Sequence, residues 1–142
     1  MNKIHLYKNN HNEVSFVFNE KFETIGKEFV GTDDKLDFGN ALIDKGKNLI
    51  VMHNHPRNSS FSDTDLVFLL EHDNIKTFTI VKNNGSVETI IKSFNYNQAE
   101  AKKIFSRCYK KHIKTGSDIE IDKAVNQFLN QNKEMILWKK SQ

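Results

Sequence analysis

"NLIVMHNHPRNSSFSDTDL", residues 48–66, is the stretch from which both architecture and chemistry can be read. Leu49 to Met52 form a continuous apolar run of strand length, the pattern of a strand buried on both faces. At the other end, Ser62 precedes a run in which Leu66, Leu69 and Leu70 recur at helical spacing, with Asn74 as the expected stop. Ser62 is then a good N-cap, and Asp65 falls in the first turn. Between strand and helix lie His53 and His55. Side chains two apart in an extended chain point the same way, so both imidazoles can face one point. Pro56 removes a backbone donor and biases His55 away from helix, which holds the extended geometry. An Asp65 facing back toward the histidines makes a three-ligand set. Zinc with three protein ligands keeps a fourth position for water, the mark of a catalytic rather than a structural site. Taken singly, each piece has a plainer meaning. A His-x-His on a loop is common, and Ser62-x-x-Asp65 is close to a capping box with Asp in place of Glu or Gln. It is their conjunction that points to a metal.

Outward from this stretch, "EVSFVFN" alternates as a strand does, with Val14, Phe16 and Phe18 on one side and Glu13, Ser15 and Val17 on the other. "KFETIGKEFVGT" reads as a second extended segment, and "KLDFGNALIDKG" as a short helix ending at Gly46. "KTFTIV" and "SVETIIKSF" flank Asn84-Gly85, the strongest short hairpin signal. Two amphipathic helices follow. Ala101, Ile104, Phe105, Cys108 and His112 share the face of one, and Ile121, Val125, Phe128 and Leu129 that of the other. The second is read as running on through Met135–Trp138, with Trp138 either docking that helix on the core or serving as an exposed anchor. The fold class expected is α/β, a mixed α+β sheet with flanking helices and a C-terminal helical extension.

The chain has 142 residues, enough for one domain or one domain plus an extension. Apolar residues make up 37%, including eleven phenylalanines, which suffices for one core. A single cysteine, Cys108, forms no internal disulfide, and on an apolar helical face it reads as packing. With no cysteine pair, a zinc deaminase is excluded. No apolar run is long enough to span a bilayer and the N-terminus lacks a signal-peptide core, so a cytoplasmic location and no membrane partner are expected. Residues 101–142 hold ten Lys+Arg against four Asp+Glu, a net of +6; the whole chain is +3, so residues 1–100 carry −3. The basic C-terminal third is either a solvated lysine-rich surface or a patch for nucleic acid or an acidic protein.

A metal-activated water needs a base to carry its proton to the leaving group. The upstream candidates are Glu13, Glu20, Glu23 and Glu28. Glu13 is preferred because it opens a strand whose Val14, Phe16 and Phe18 look buried on the opposite face. His5, His11 and His72 have no companion spacing.

An upstream Glu, then His-x-His-Pro after an apolar strand, then Ser-x-x-Asp opening a helix resembles the JAB/MPN (JAMM) zinc metalloprotease family. The tetrapeptide "HNHP" is most similar to the bacterial RadC-type proteins and to JAB-like domains of phage and polymorphic-toxin proteins. The likeness runs from Glu13 to Ile91, since "IKTFTIVKNNGSVETI" looks like the hairpin after the motif helix. It implies a JAB/MPN core of cytidine-deaminase-like fold over residues 1–95, followed by a basic helical extension over 96–142. It implies Zn2+ on His53, His55 and Asp65, Glu13 as general base and acid, and Ser62 as hydrogen-bond donor to the oxyanion. The activity implied is hydrolysis of a peptide or isopeptide bond, in a ubiquitin-like conjugate or another protein or peptide partner. "RNSSF" leaves the loop between Pro56 and Ser62 one residue shorter than the usual pattern, and the insertions by which eukaryotic members grip ubiquitin are missing. The rival expectation is a catalytically silent JAB-fold binding module that contacts nucleic acid or an acidic protein through the basic third.

Overall fold

The computed structural model describes residues 13–25, 29–31 and 42–141. Six strands and three helices lie among them: β1 (Glu13–Phe18), β2 (Phe29–Gly31), β3 (Leu49–His55), α1 (Asp63–Glu71), β4 (Ile75–Lys82), β5 (Val87–Lys92), α2 (Gln98–His112), α3 (Asp118–Gln131) and β6 (Ile136–Ser141). The strands form one mixed sheet in the order β2-β1-β3-β4-β5-β6. β3 and β4 are parallel, and the other neighbours are antiparallel. A parallel pair needs a crossover, and α1 supplies it by crossing the face of the sheet between β3 and β4.

The local signals account for most of these elements. The apolar run from Leu49 continues as strand through His55, and Pro56 then prevents it from continuing the ladder. Ser62 caps α1 as its sequence context demands. The β4–β5 hairpin turns at Asn84-Gly85, where Gly85 has φ +90° and Asn84 Oδ1 accepts from the Ser86 amide at 2.9 Å. The short helix expected over residues 35–46 lies largely outside the described residues, although Gly46 does have the expected positive φ, +108°. Of the second extended segment, the structure describes β2 and a bridge between Phe18 and Thr24.

One apolar core unites the described elements. Val51 on β3, Phe78 and Ile80 on β4 and Ile90 on β5 face Leu66, Leu69 and Leu70 of α1, with Phe105 of α2, Val125, Phe128 and Leu129 of α3, and Ile136 of β6. Val17 of β1 also belongs to it, whereas Val14 and Phe16 join Met52, Val81 and Val87 in a smaller cluster. β1 is therefore buried on both sides, with Val17 on the side that faces the main core. The expected burial of Val14, Phe16 and Phe18 holds for Val14 and Phe18, with Phe16 half-buried, and Val17 is buried on the other face as well.

The C-terminal segment also differs from expectation. α3 stops at Gln131, where Asn132 Nδ2 donates back to the Phe128 carbonyl at 2.7 Å. Residues 136–141 are not helix but strand, paired antiparallel to β5 with Ile90 opposite Trp138. A short apolar run has no periodicity that separates helix from strand, and here the open edge of β5 decides. Residues 96–142 are thus not solely helical: they add a strand to the sheet and side chains to the shared core. No described helix is long and apolar enough to cross a membrane.

At the end of β5 remote from the His-x-His segment, Lys92 is buried. Its Nζ donates to the His72 carbonyl at the C-cap of α1 at 2.9 Å and sits 4.7 Å from the centre of the Tyr96 ring. Burial pushes its ammonium down from 10.5 to about 8, against a weaker opposing pull from Asp73. The folded chain therefore releases this proton at lower pH than the unfolded chain does. Stability should rise with pH between about 8 and 10.5, and the cost of charging Lys92 is fully present below that window. Urea titrations across this range should show the rise in the wild type and its loss in Lys92→Met.

Candidate metal centre

His53 and His55 stand at the C-terminal end of β3, and Asp65 in the first turn of α1, so the crossover itself brings them together. All three are buried, and one ligand atom from each lies within 4.8 Å of the others. The two Nε2 atoms are 2.9 Å apart. Asp65 Oδ1 is 3.6 Å from His53 Nε2, and Oδ2 is 3.3 Å from His55 Nε2. This group can hold a metal ion. Two imidazoles and a carboxylate suit the borderline-soft first-row metals better than the all-oxygen preference of calcium or magnesium.

The surroundings orient each ligand. The rings of His53 and His55 stack at 4.8 Å, and that of His53 meets the edge of Phe78 at 4.8 Å. His55 Nδ1 lies 2.7 Å from the Ser59 carbonyl oxygen. The carbonyl only accepts and is the shorter contact, so Nδ1–H donates to it, with Ser59 Oγ at 3.1 Å as a second acceptor, and Nε2 presents its lone pair toward Asp65 and His53. That is the tautomer a metal ligand needs. The Asp65 carboxylate is held too. Its Oδ2 accepts from the Ser62 amide at 2.9 Å, while Ser62 Oγ accepts from the Asp65 amide at 3.1 Å. This reciprocal capping box leaves the Ser62 hydroxyl proton able to donate elsewhere, so capping does not compete with a role as donor.

The five-residue loop between Pro56 and Ser62 is anchored along its length. Asn58 adopts φ +60° and its Oδ1 accepts from the Asn84 amide at 2.8 Å, which ties the loop to the β4–β5 turn. Ser60 Oγ donates to Glu88 Oε1 at 2.7 Å, and Phe61 is buried against Phe78. Glu88 is itself buried and also receives Lys82 Nζ at 2.6 Å and Trp138 Nε1 at 2.9 Å. Burial alone would push its carboxyl up. The hydrogen bonds from Lys82, Ser60 and Trp138, with the Lys82 charge, outweigh that and hold it below its ordinary value.

Of the candidate bases, Glu20 and Glu23 lie exposed on the turn after β1, where Glu23 Oε1 accepts from Asn19 Nδ2 at 3.0 Å, and Glu28 lies outside the described residues. Glu13 is described in its backbone only. It opens β1 two residues before Ser15, the partner of His53 across the β1–β3 ladder. The Val14 amide donates to the buried Asn54 Oδ1 at 2.6 Å, so that end of β1 is fastened to the His-x-His segment. His5 and His11 lie outside the described residues, and His72 sits at the opposite end of α1. Cys108 is half-buried, donates to the Ala124 carbonyl at 3.3 Å, and has its thiol pushed up by burial, all in keeping with packing rather than nucleophilic chemistry. A groove of about 520 Å³ between α1 and α2 begins at Asp63, but none of the three ligands lines it.

Sequence reasoning missed Ser59, Ser60 and Glu88, and read Trp138 only as a docking or anchor residue, not as a partner of Glu88. Glu88 had a signal: with Ile90 and Lys92 it occupies the buried parity of β5, and a charged side chain there calls for partners. The Ser59 carbonyl had none, because a backbone acceptor looks the same in every residue. A scan against protein-family models, a search of curated proteins and a search of solved structures each found no match.

The capping box makes a direct prediction. Ser62→Ala should lower unfolding free energy by about 1 kcal/mol in chemical denaturation, the usual cost of losing such a cap.

Proposed function

We propose that the chain is a zinc-dependent metallopeptidase or isopeptidase of JAB/MPN (JAMM) type. The observation that carries this reading is the buried convergence of His53, His55 and Asp65 at the junction of strand, loop and helix. Their donor set suits zinc and supplies three protein ligands, the number found in catalytic sites. When bound, zinc supplies Lewis acidity and brings the ionisation of water toward neutral pH. The chain's own residues do the rest. His55 is kept in the ligating tautomer by the Ser59 carbonyl, and Asp65 is held by the Ser62 amide. The Ser62 hydroxyl donates to the oxyanion that develops on a scissile carbonyl, a contribution of about 10²–10³ in rate. Glu13 takes a proton from water and returns it to the departing amine. Its place in β1, near the strand position paired to His53, supports that assignment.

Metal analysis of the purified chain tests this reading. About one zinc per chain is expected from a site of this ligand count, with loss in both His53→Ala and Asp65→Ala. A folded wild type that takes up no added zinc would refute it. Glu13→Gln should keep the metal and lose turnover of any peptide or isopeptide that the wild type cleaves.

A second reading, a binding module for nucleic acid, draws on one feature of α2. Lys103, Arg107 and Lys110 follow one another at steps of four and three residues, with Lys111 next to the last; all four are exposed, and none forms an ion pair among the described residues. Lys114 continues the run just past the helix. Binding of single- or double-stranded DNA through these cations should weaken steeply as salt rises and should vanish on charge reversal at Lys110, Lys111 and Lys114. No binding at low salt removes this reading.

A further inference from the structure

We propose that Glu88 is a positioning residue for the candidate metal centre: through Ser60 it holds the loop whose Ser59 carbonyl fixes the tautomer of His55. The inference rests on the reading of His53, His55 and Asp65 as metal ligands.

Its basis is one chain of contacts across the sheet. Trp138 Nε1 on β6 and Ser60 Oγ on the loop both donate to Glu88 Oε1, at 2.9 Å and 2.7 Å. Ser59 and Ser60 share a peptide group, and that group is planar. Anchoring Ser60 therefore restricts the direction of the Ser59 carbonyl, which receives the His55 Nδ1 proton at 2.7 Å. Oε2 of the same carboxylate takes Lys82 Nζ at 2.6 Å. Lys82 is the strand partner of His55 in the β3–β4 ladder. A positive charge on the neighbouring strand opposes metal binding, and Glu88 pairs with this ammonium. The carboxylate is buried and already satisfied by three donors, so it is built to hold a neighbouring segment rather than to react.

Ser60→Ala removes the tie to the loop and leaves the Lys82 pair. Ser60→Thr keeps the hydroxyl. Glu88→Gln removes both the charge and the pair. Two measurements on each separate positioning from general stability. The first is zinc affinity by chelator competition. Groups that orient a metal-binding histidine typically contribute 10–100-fold, so Ser60→Ala and Glu88→Gln should bind zinc about 10–100-fold more weakly, with Ser60→Thr close to wild type. The second is the nitrogen-15 spectrum of the histidines in metal-free protein. Wild type and Ser60→Thr should show His55 as the Nδ1–H tautomer, and Ser60→Ala and Glu88→Gln a mixture. If Glu88→Gln does not fold, the two Ser60 variants decide. Unchanged zinc affinity and an unchanged tautomer in Ser60→Ala overturn the proposal. A wild type that binds no zinc defeats the peptidase reading and this proposal together, whereas the Ser60→Ala result in a zinc-binding wild type defeats the proposal alone.

Discussion

A carboxylate buried beside two imidazoles is the constraint on which the rest of this structure turns. Removing an ionised Asp from water costs several kcal/mol unless partners replace its hydration. Asp65 finds a donor in the Ser62 amide at the start of α1, and its oxygens lie 3.6 Å and 3.3 Å from the Nε2 atoms of His53 and His55 at the end of β3. The first turn of a helix is also where its dipole favours negative charge. Such an arrangement needs a strand that ends at His55, a loop short enough to return at once, and a helix that starts at Ser62. The parallel pairing of β3 with β4 follows, since α1 must then cross the sheet before the chain can re-enter it.

The remaining elements act as supports for that junction. The β4–β5 hairpin offers the Asn84 amide to Asn58 and the Glu88 carboxylate to Ser60, so both halves of the short loop are fastened to one rigid piece. β6 completes the support from the far end of the chain by bringing Trp138 to Glu88 and Ile136 to the core. The helices α2 and α3 bury Phe105, Phe128 and Leu129 in the same cluster as the leucines of α1, so α1 is held from both sides. The loop that is one residue shorter than the resemblance implied is thus a tightly tied one.

The peptidase reading draws its force from a conjunction of types. A histidine pair, a capping serine and a first-turn aspartate each have ordinary structural uses, and Ser62 and Asp65 do serve as a capping box. The same capping geometry that stabilises α1 also holds Asp65 toward the imidazoles and leaves the serine hydroxyl a proton to give. On the proposed reading, structural and chemical roles coincide, because a helix N-terminus supplies donors to any nearby anion, whether a side chain or a reaction intermediate.

What the sequence determined by itself is the order and type of most elements and the three metal-ligand candidates. These depend on local signals: strand and helix periods, the Ser62 cap, the Asn84-Gly85 turn, and the two-residue spacing that puts His53 and His55 on one side. Tertiary structure alone decided the fate of residues 136–141, the face of β1 on which Val17 is buried, and the alliance of Glu88 with Ser60, Lys82 and Trp138. It also decided which carbonyl meets His55. The physical reason is common to all four. Each depends on which distant backbone or side chain fills an open edge or an unsatisfied hydrogen bond, and a partner chosen across the fold leaves no period, cap or turn residue in the segment that receives it.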